Sequence, residues 1–267
     1  MKITKLEDLI KLLDHWYPPS LAEEGDPIGL HFGDPQQTIQ KVLVALDMRP
    51  QTVEEAKKRQ ADTLLVHHPP IYRPIKRFDY NDPQINMYRQ AIQLNLNVFA
   101  MHTNYDFAMG GMNDCLAQAL SLQNIHDLHS FEESQSVPGR IGLLPNPLNR
   151  PDLIDYLKTH LQCSHLTLIE KSPKELYHKV AVIGGAGASM MKTIDNAQPD
   201  IFITGDIDYH AGHDLYERSY LTIDAGHYIE HLFINYETNK LNQYVKNEGW
   251  NLEFIASQIS TNPFKYI

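Results

Sequence analysis

Short apolar runs alternate with helix-like segments along the first half of this chain. The runs at 41–47, 63–66 and 97–101 are bounded by charged or polar residues, which is typical of buried strands in a parallel sheet. The segments 50–60 and 85–94 lie between these runs and have apolar residues at helical spacing. The first strand, the helix and the second strand therefore predict one βαβ unit with a right-handed crossover.

The second half of the chain repeats this outline. Residues 179–210 again give a strand that begins with Lys-Val, then a helix, then a strand introduced by aspartate. ADTLLVHHP in the first half and PDIFITGDI in the second occupy the same place in the two units, which suggests a duplicated βαβ core. The fold class is therefore α/β. Residues 130–150 are the best candidate for a crossing between domains.

Composition narrows the possible functions. The chain has 267 residues, of which 42% are hydrophobic and 21% charged, as in ordinary globular proteins. Its net charge of −10, with no basic cluster beyond short pairs such as Lys57-Lys58, argues against a nucleic-acid-binding face. The sequence has no signal peptide or membrane-length apolar run, so we expect a cytoplasmic protein without membrane contact. Its two cysteines form no metal or disulfide motif, whereas 14 histidines motivate a search for metal ligands.

Polar side chains follow three of the predicted strands. His67 and His68 end the 63–66 strand, where ligands of α/β sheets usually bind. Because adjacent side chains on extended backbone point in different directions, the two imidazoles suit one ion each of a close pair. Asp106 follows the 97–101 strand. The simpler interpretation of His67 and His68 is a pair of surface histidines in a loop, without a metal.

A third strand, 221–223, leads into a segment that carries more candidate ligands. We expect a helix to start near His227, which would place His227 and Glu230 on one face. An amphipathic helix with polar residues at its start would explain the same pattern. Together with His67, His68 and Asp106, these two residues make five possible metal ligands, all placed after the carboxyl ends of predicted strands. Such a set nevertheless favours two ions that share a carboxylate. Nitrogen and carboxylate ligands suit zinc, manganese, iron or cobalt and do not choose among them.

Several motifs at these positions make the chain similar to a known family, the Nif-three-like dinuclear metal-centre proteins, also described as GTP cyclohydrolase I type-two homologues. The motifs are GDPIGLHFG, VLVALD, LLVHHPP, HTNYDFAMGGMND, ITGD and DAGHYIE, and they span nearly the whole chain. The chain resembles a short form of that family, without the ferredoxin-like insert that some members carry.

The resemblance implies two linked α/β domains with mixed or mainly parallel sheets and a metal site at their interface. We place the first domain at 1–125 with 225–267 and the second at 126–224. The resemblance also implies five ligands for two divalent ions, with the glutamate touching both, and self-association into a toroidal homohexamer. His67 and His227 would hold one ion and His68 and Asp106 the other; the glutamate is Glu230.

The family name implies hydrolysis of the guanine imidazole ring of GTP. The residues are compatible with that reaction, and we assign His102, near the site, as a catalytic proton relay. We therefore expect a metal-dependent hydrolase with a small anionic substrate such as a nucleotide. The alternative is a metal-binding oligomeric adaptor, or a metal storage or delivery protein, without catalysis. His102 could instead orient a ligand. His210 and His213 could line the same cavity, and the turn 184–189 could bind an anion or merely join a strand to a helix.

Overall fold

The structure, a computed structural model, describes residues 3–128 and 137–267. The strands are β1 Thr4–Lys5, β2 Gly29–Phe32, β3 Thr38–Ile39, β4 Lys41–Ala45, β5 Thr63–Val66, β6 Asn97–Ala100, β7 Gln123–Asp127, β8 Arg140–Leu148, β9 Thr167–Ile169, β10 Tyr177–Val182, β11 Ile201–Thr204, β12 Leu221–Asp224 and β13 Glu253–Ala256. The α-helices are α1 Leu6–Trp16, α2 Pro50–Lys58, α3 Pro83–Gln93, α4 Thr103–Phe107, α5 Met112–Ala119, α6 Arg150–His160, α7 Met191–Ala197, α8 Tyr209–Tyr216 and α9 Leu232–Glu248. Shorter 3₁₀ helices cover Pro19–Leu21, Gly187–Met190 and His227–His231.

The chain divides into two compact units, Met1–Ala108 with Phe233–Pro263 and Met109–Leu232 with Phe264–Ile267. From the sequence we predicted one domain at 1–125 with 225–267 and a second at 126–224. These domain limits remain a prediction. Part of the predicted crossing segment 130–150 lies outside the described residues, and the remainder includes β8. Among the described residues, no helix combines the length and apolar character needed to cross a membrane.

A five-stranded sheet forms the centre of the first unit. Its strand order is β13-β4-β5-β6-β2, in which β13, β4, β5 and β6 are parallel and β2 is antiparallel to β6. Every residue of β5 and β6 is buried, which explains why both strands are runs without polar alternation. The GDPIGLHFG motif supplies the edge strand β2. The carboxyl ends of β4, β5 and β6 therefore lie side by side.

The second unit contains a six-stranded mixed sheet of order β7-β8-β10-β11-β12-β9. The central strands β10, β11 and β12 are parallel, whereas β8 and β9 run antiparallel to their neighbours β10 and β12. Both units thus combine parallel and antiparallel pairs with helical crossovers. The α/β class with mixed sheets, predicted from the sequence, is confirmed.

The two parallel sheets have the same hydrogen bonds around an aspartate at equivalent positions. Asp62 precedes β5 and accepts a hydrogen bond from the backbone N of Lys41 at 3.1 Å, and Asp200 precedes β11 and accepts one from Lys179 at 2.9 Å. Both lysine ammonium groups donate to a backbone carbonyl three residues before the aspartate. The equivalent strands ADTLLV and PDIFIT are each the middle strand of a parallel triplet, as the sequence comparison suggested.

A buried polar cluster holds the short helix α4 in the first unit. Glu237 on α9 is fully buried and accepts hydrogen bonds from the hydroxyls of Tyr17, at 2.8 Å, and Tyr105, at 3.1 Å. Burial raises the pKa of Glu237 to about 7. Tyr105 lies on α4 next to Asp106, so this cluster fixes the helix that carries a predicted ligand.

Candidate metal centre

His67 and His68 lie directly after β5, as the sequence predicted. Both backbone N–H groups donate to the carbonyl of Leu46, at 3.2 and 3.1 Å, which ties the strand end to the neighbouring chain segment. His67 is completely buried, and its Nδ1 donates to the carbonyl of Met101 at 2.8 Å. The Nδ1 of His68 donates to Asp47, which follows β4, also at 2.8 Å. Each ring thus has its orientation fixed through Nδ1.

His102 is the third imidazole in this region. It follows β6 and precedes α4, and its Nδ1 donates to the carboxylate of Asp26 at 2.9 Å. Ligand atoms of His67, His68 and His102 all lie within 4.8 Å of one another, so these three residues could together hold a metal ion. The carboxylate of Asp26 therefore orients the ring of His102.

Asp106 and His67 face each other within the first unit. One carboxylate oxygen of Asp106 lies 3.6 Å from Nε2 of His67. Asp106 is the fourth residue of α4, which begins at Thr103. The first unit therefore places three imidazoles and one carboxylate at the ends of β5 and β6.

His227 and Glu230 form the corresponding pair in the second unit. Nε2 of His227 lies 3.1 Å from a carboxylate oxygen of Glu230, and its Nδ1 donates to Asp206 at 2.8 Å. A helix starts at His227, as predicted; both residues lie in its 3₁₀ part, His227–His231, and the α-helix follows from Leu232. Side chains at i and i+3 eclipse in a 3₁₀ helix, which brings this pair closer than α-helical spacing would.

Glu230 and Asp106 occupy equivalent places in the two sheets. The residue after β6, Met101, donates its backbone N–H to Val66 of β5, and Ala225 after β12 donates in the same way to β11. Asp106 lies five residues beyond Met101, and Glu230 lies five residues beyond Ala225. Each unit therefore carries one carboxylate on a short helix that follows its third parallel strand.

Two glycines make room for His227 and Glu230. A Cβ on Gly205 would lie 2.7 Å from the backbone N of His227, so only glycine permits this approach. A Cβ on Gly185 would lie 3.0 Å from an Oε1 atom of Glu230, and Gly185 adopts a left-handed φ of +62°. The turn 184–189 thus passes directly beside these two predicted ligands.

The spacing within each facing pair fits two ligands of one ion. His67 and Asp106 are thus placed to share an ion, which differs from the expectation that Asp106 pairs with His68. Two ligand atoms about 2.1 Å from a tetrahedral ion lie ~3.4 Å apart, and the observed separations of 3.6 Å for His67–Asp106 and 3.1 Å for His227–Glu230 bracket this value. An imidazole whose Nδ1 donates has a lone pair on Nε2, which repels a carboxylate unless a proton or metal cation lies between them. The donor set therefore fits a divalent transition metal.

The carboxylates of Asp47 and Asp26, which orient His68 and His102, remain ionised. Burial would raise the pKa of Asp47, but hydrogen bonds from His68 and Thr261 outweigh this effect and hold its pKa below the usual value. Burial would also raise the pKa of Asp26, but the hydrogen bond from His102 outweighs burial and holds this pKa below the usual value. Negative charge at these positions favours imidazole rings that donate through Nδ1 and present Nε2 to a cation.

Comparison with known proteins identifies the family. A profile of the Duf34/NIF3 (NGG1p interacting factor 3) family matches residues 4–263. The chain belongs to this family.

Two curated relatives from Streptococcus pneumoniae and Lactococcus lactis are named GTP cyclohydrolase 1 type 2 homolog, and each is 34% identical to this NIF3-family chain. Each alignment covers 97% of the chain and 98% of the relative. The fold matches the crystal structure of a Bacillus cereus protein related to NIF3, with a TM-score of 0.92 and 24% identity over both whole chains. A Staphylococcus aureus hypothetical protein matches with the same TM-score and 27% identity, also over both whole chains.

Sequence reasoning about this NIF3-family chain missed the three carboxylates that orient imidazoles. Asp47 and Asp206 each follow a parallel strand, and that position was the available signal. Asp26 lies 76 residues from His102, within a loop that gave no such signal. His210 and His213, which we considered as lining residues, are exposed on α8 and contact the ring of Tyr209.

Proposed function

We propose that this chain is a dinuclear metal-dependent hydrolase of the GTP cyclohydrolase 1 type 2 kind, acting on a nucleotide or similar anionic heterocycle. The ligands of the two divalent ions are His67, His68, Asp106, His227 and Glu230. One observation carries the proposal: each unit contains an imidazole whose Nδ1 is engaged by an oxygen acceptor and whose Nε2 faces a carboxylate. This arrangement is typical of histidines that bind metals.

The residues of the site suit hydrolysis. Bound divalent ions would supply an acidified water and a positive centre, with about two positive charges left after two carboxylates are subtracted. His102, whose ring is oriented by the carboxylate of Asp26, is the residue that we assign as proton relay. Asp47 keeps His68 oriented in the same way.

The names of the curated relatives support GTP as the first substrate to test. Opening of the guanine imidazole ring by water at C8 is the reaction that those names suggest. A positive centre would also suit phosphoesters, so a panel of these compounds belongs in the same experiment. The proposed substrate class is therefore broader than GTP itself.

The test is turnover by zinc-, manganese-, iron- or cobalt-loaded protein, measured with GTP and with the phosphoester panel. We expect one substrate to be consumed by the wild type and by His15→Ala, an exposed histidine on α1. His68→Ala should have lost that turnover. Turnover of no substrate above the His68→Ala background would contradict the proposal and favour metal storage, delivery or an adaptor role.

Assembly and location belong to the same proposal. Self-association into a toroidal homohexamer and a cytoplasmic location rest on the sequence and its resemblance to the family. Light scattering coupled to size-exclusion chromatography would give a mass near 184 kDa for six chains of 30.6 kDa. A monomeric mass would contradict the assembly.

A further inference from the structure

A cavity in the first unit opens beside His68. Its volume is about 500 Å³, within the range of about 300–1,000 Å³ that is typical of small-molecule sites. His68 and Asp47 line one side, and the loop of residues 71–77 lines another. The cavity therefore includes a predicted metal ligand and has room for a ligand of nucleotide size.

The lining of this cavity is basic although the chain as a whole is acidic. Four cationic side chains contribute to it, while the whole chain has a net charge of −10. The cationic residues are Arg49, Arg73, Lys76 and Arg77. Among the described residues, no carboxylate forms an ion pair with any of these four.

The two acidic residues of the lining are already engaged by other groups. Asp47 binds His68 and the hydroxyl of Thr261. Asp82 caps α3 and accepts hydrogen bonds from the backbone N–H groups of residues 84 and 85, at 2.8 and 3.2 Å. The cationic groups thus remain available to an anion from solution.

The loop that carries three of these cations is anchored. Ile71 and Ile75 pack against the core of the first unit, while the intervening and following basic residues are exposed. The carbonyl of Pro70 accepts a hydrogen bond from the hydroxyl of Tyr88, which in turn accepts one from Gln84 at 2.7 Å. Anchoring limits the entropy that the loop would lose on binding a ligand.

From this geometry we infer that the cavity beside His68 binds the oligophosphate chain of the substrate, through Arg73, Lys76 and Arg77. Guanidinium groups bind phosphate oxygens in pairs, and an ammonium adds a point charge. The inference rests on the proposed function for the identity of the substrate, and it narrows that substrate to a phosphorylated compound such as a nucleoside triphosphate.

The test is calorimetric binding of tripolyphosphate, GTP and guanosine to the full chain, with and without zinc. Arg73→Ala/Arg77→Ala removes two charges from the cavity. Lys57→Ala/Lys58→Ala removes two exposed charges from α2, which does not line the cavity, and is the matched control. We expect the arginine variant to bind tripolyphosphate and GTP at least about tenfold more weakly, because each charge-assisted hydrogen bond contributes about that factor.

Guanosine binding should be the same in the wild type and both variants, and the affinity of the wild type for tripolyphosphate should fall as salt rises. Equal tripolyphosphate affinity in the arginine variant and the control would overturn the inference. Tighter binding of single-stranded RNA than of GTP, lost in the arginine variant, would overturn it too, since the occupant would then be a nucleic acid. Arg73→Gln/Arg77→Gln repeats the measurement if the alanine variant melts early.

Metal content and turnover separate this inference from the proposed function. Both arginine variants should retain the metal-to-chain ratio of the wild type. If the wild type binds no metal and turns over no substrate, the proposed function fails. The inference about the cavity is then tested separately, by whether the metal-free protein binds tripolyphosphate and whether the arginine variant binds it more weakly. If metal and turnover are present but tripolyphosphate binds no better than guanosine, the inference alone fails.

Discussion

Replacing Asp206 by asparagine would remove one negative charge behind His227 and leave the local geometry in place. Asp206 has a left-handed φ of +52°, a conformation that asparagine tolerates well. The amide oxygen of asparagine can still accept the Nδ1–H of His227, which Asp206 accepts at 2.8 Å. The substitution therefore tests the contribution of the carboxylate charge to metal binding.

The expected loss of metal affinity is about tenfold, or about 1.4 kcal/mol. Carboxylates behind metal-binding histidines contribute between about tenfold and a hundredfold, and this side chain is 51% exposed, so solvent screening places it at the lower end. Zinc affinity is measured by titrating the metal-free protein in competition with a chelating dye.

Asp208→Asn is the matched control for this substitution. Asp208 caps α8, two residues further along the chain, and asparagine caps helices about as well as aspartate. The control should bind zinc like the wild type. An Asp206→Asn protein with wild-type zinc affinity would refute the role assigned to this carboxylate.

Three further predictions concern catalysis, the glycine turn and pH. His102→Ala should lower turnover by about 10²- to 10⁴-fold with unchanged metal content; loss of metal as well would show that His102 is a ligand. Gly185→Ala should weaken zinc binding by pushing on Glu230, whereas Gly249→Ala, which has a similar φ of +66° but no atom within 4 Å of its Cβ, should cost stability without affecting zinc. Because the pKa of Glu237 is raised from 4.5 to about 7, its protonated form stabilises the fold below pH 4.5, and about 3 kcal/mol is lost as pH rises through 7. Urea unfolding should show this loss for the wild type and not for Glu237→Gln; equal pH profiles would contradict it.

The strands and the positions of the candidate ligands could be predicted because the signals are local. Runs such as Thr63–Val66 are short, mostly apolar and bounded by polar residues, and the structure places β5 at these residues. Parallel strands also share one carboxyl edge, so the residue after each strand is a natural site candidate. His67 and His68 were found in this way, and Asp106 because it lies shortly after β6, on α4.

The orienting carboxylates could not be predicted because their partners are distant along the chain. Asp47 and His68 are 21 residues apart, and Asp26 and His102 are 76 apart. No periodicity links such pairs. The basic cavity was missed for a related reason: three of its cations form a short basic loop at residues 73–77, and only folding brings Arg49 and His68 to the same cavity.

The 3₁₀ helix at His227–His231 was also beyond the sequence signals. Helical periodicity over five residues fits a 3₁₀ turn and an α-helical turn equally well. In the structure, His227–His231 is a 3₁₀ helix and the α-helix begins at Leu232.

Elemental analysis of protein purified without an affinity tag measures whether the dinuclear centre exists. The wild type should contain about two divalent transition-metal ions per chain, and His68→Ala should contain fewer under the same conditions. A wild-type protein that contains no transition metal, and takes up none from solution at neutral pH, would contradict this prediction.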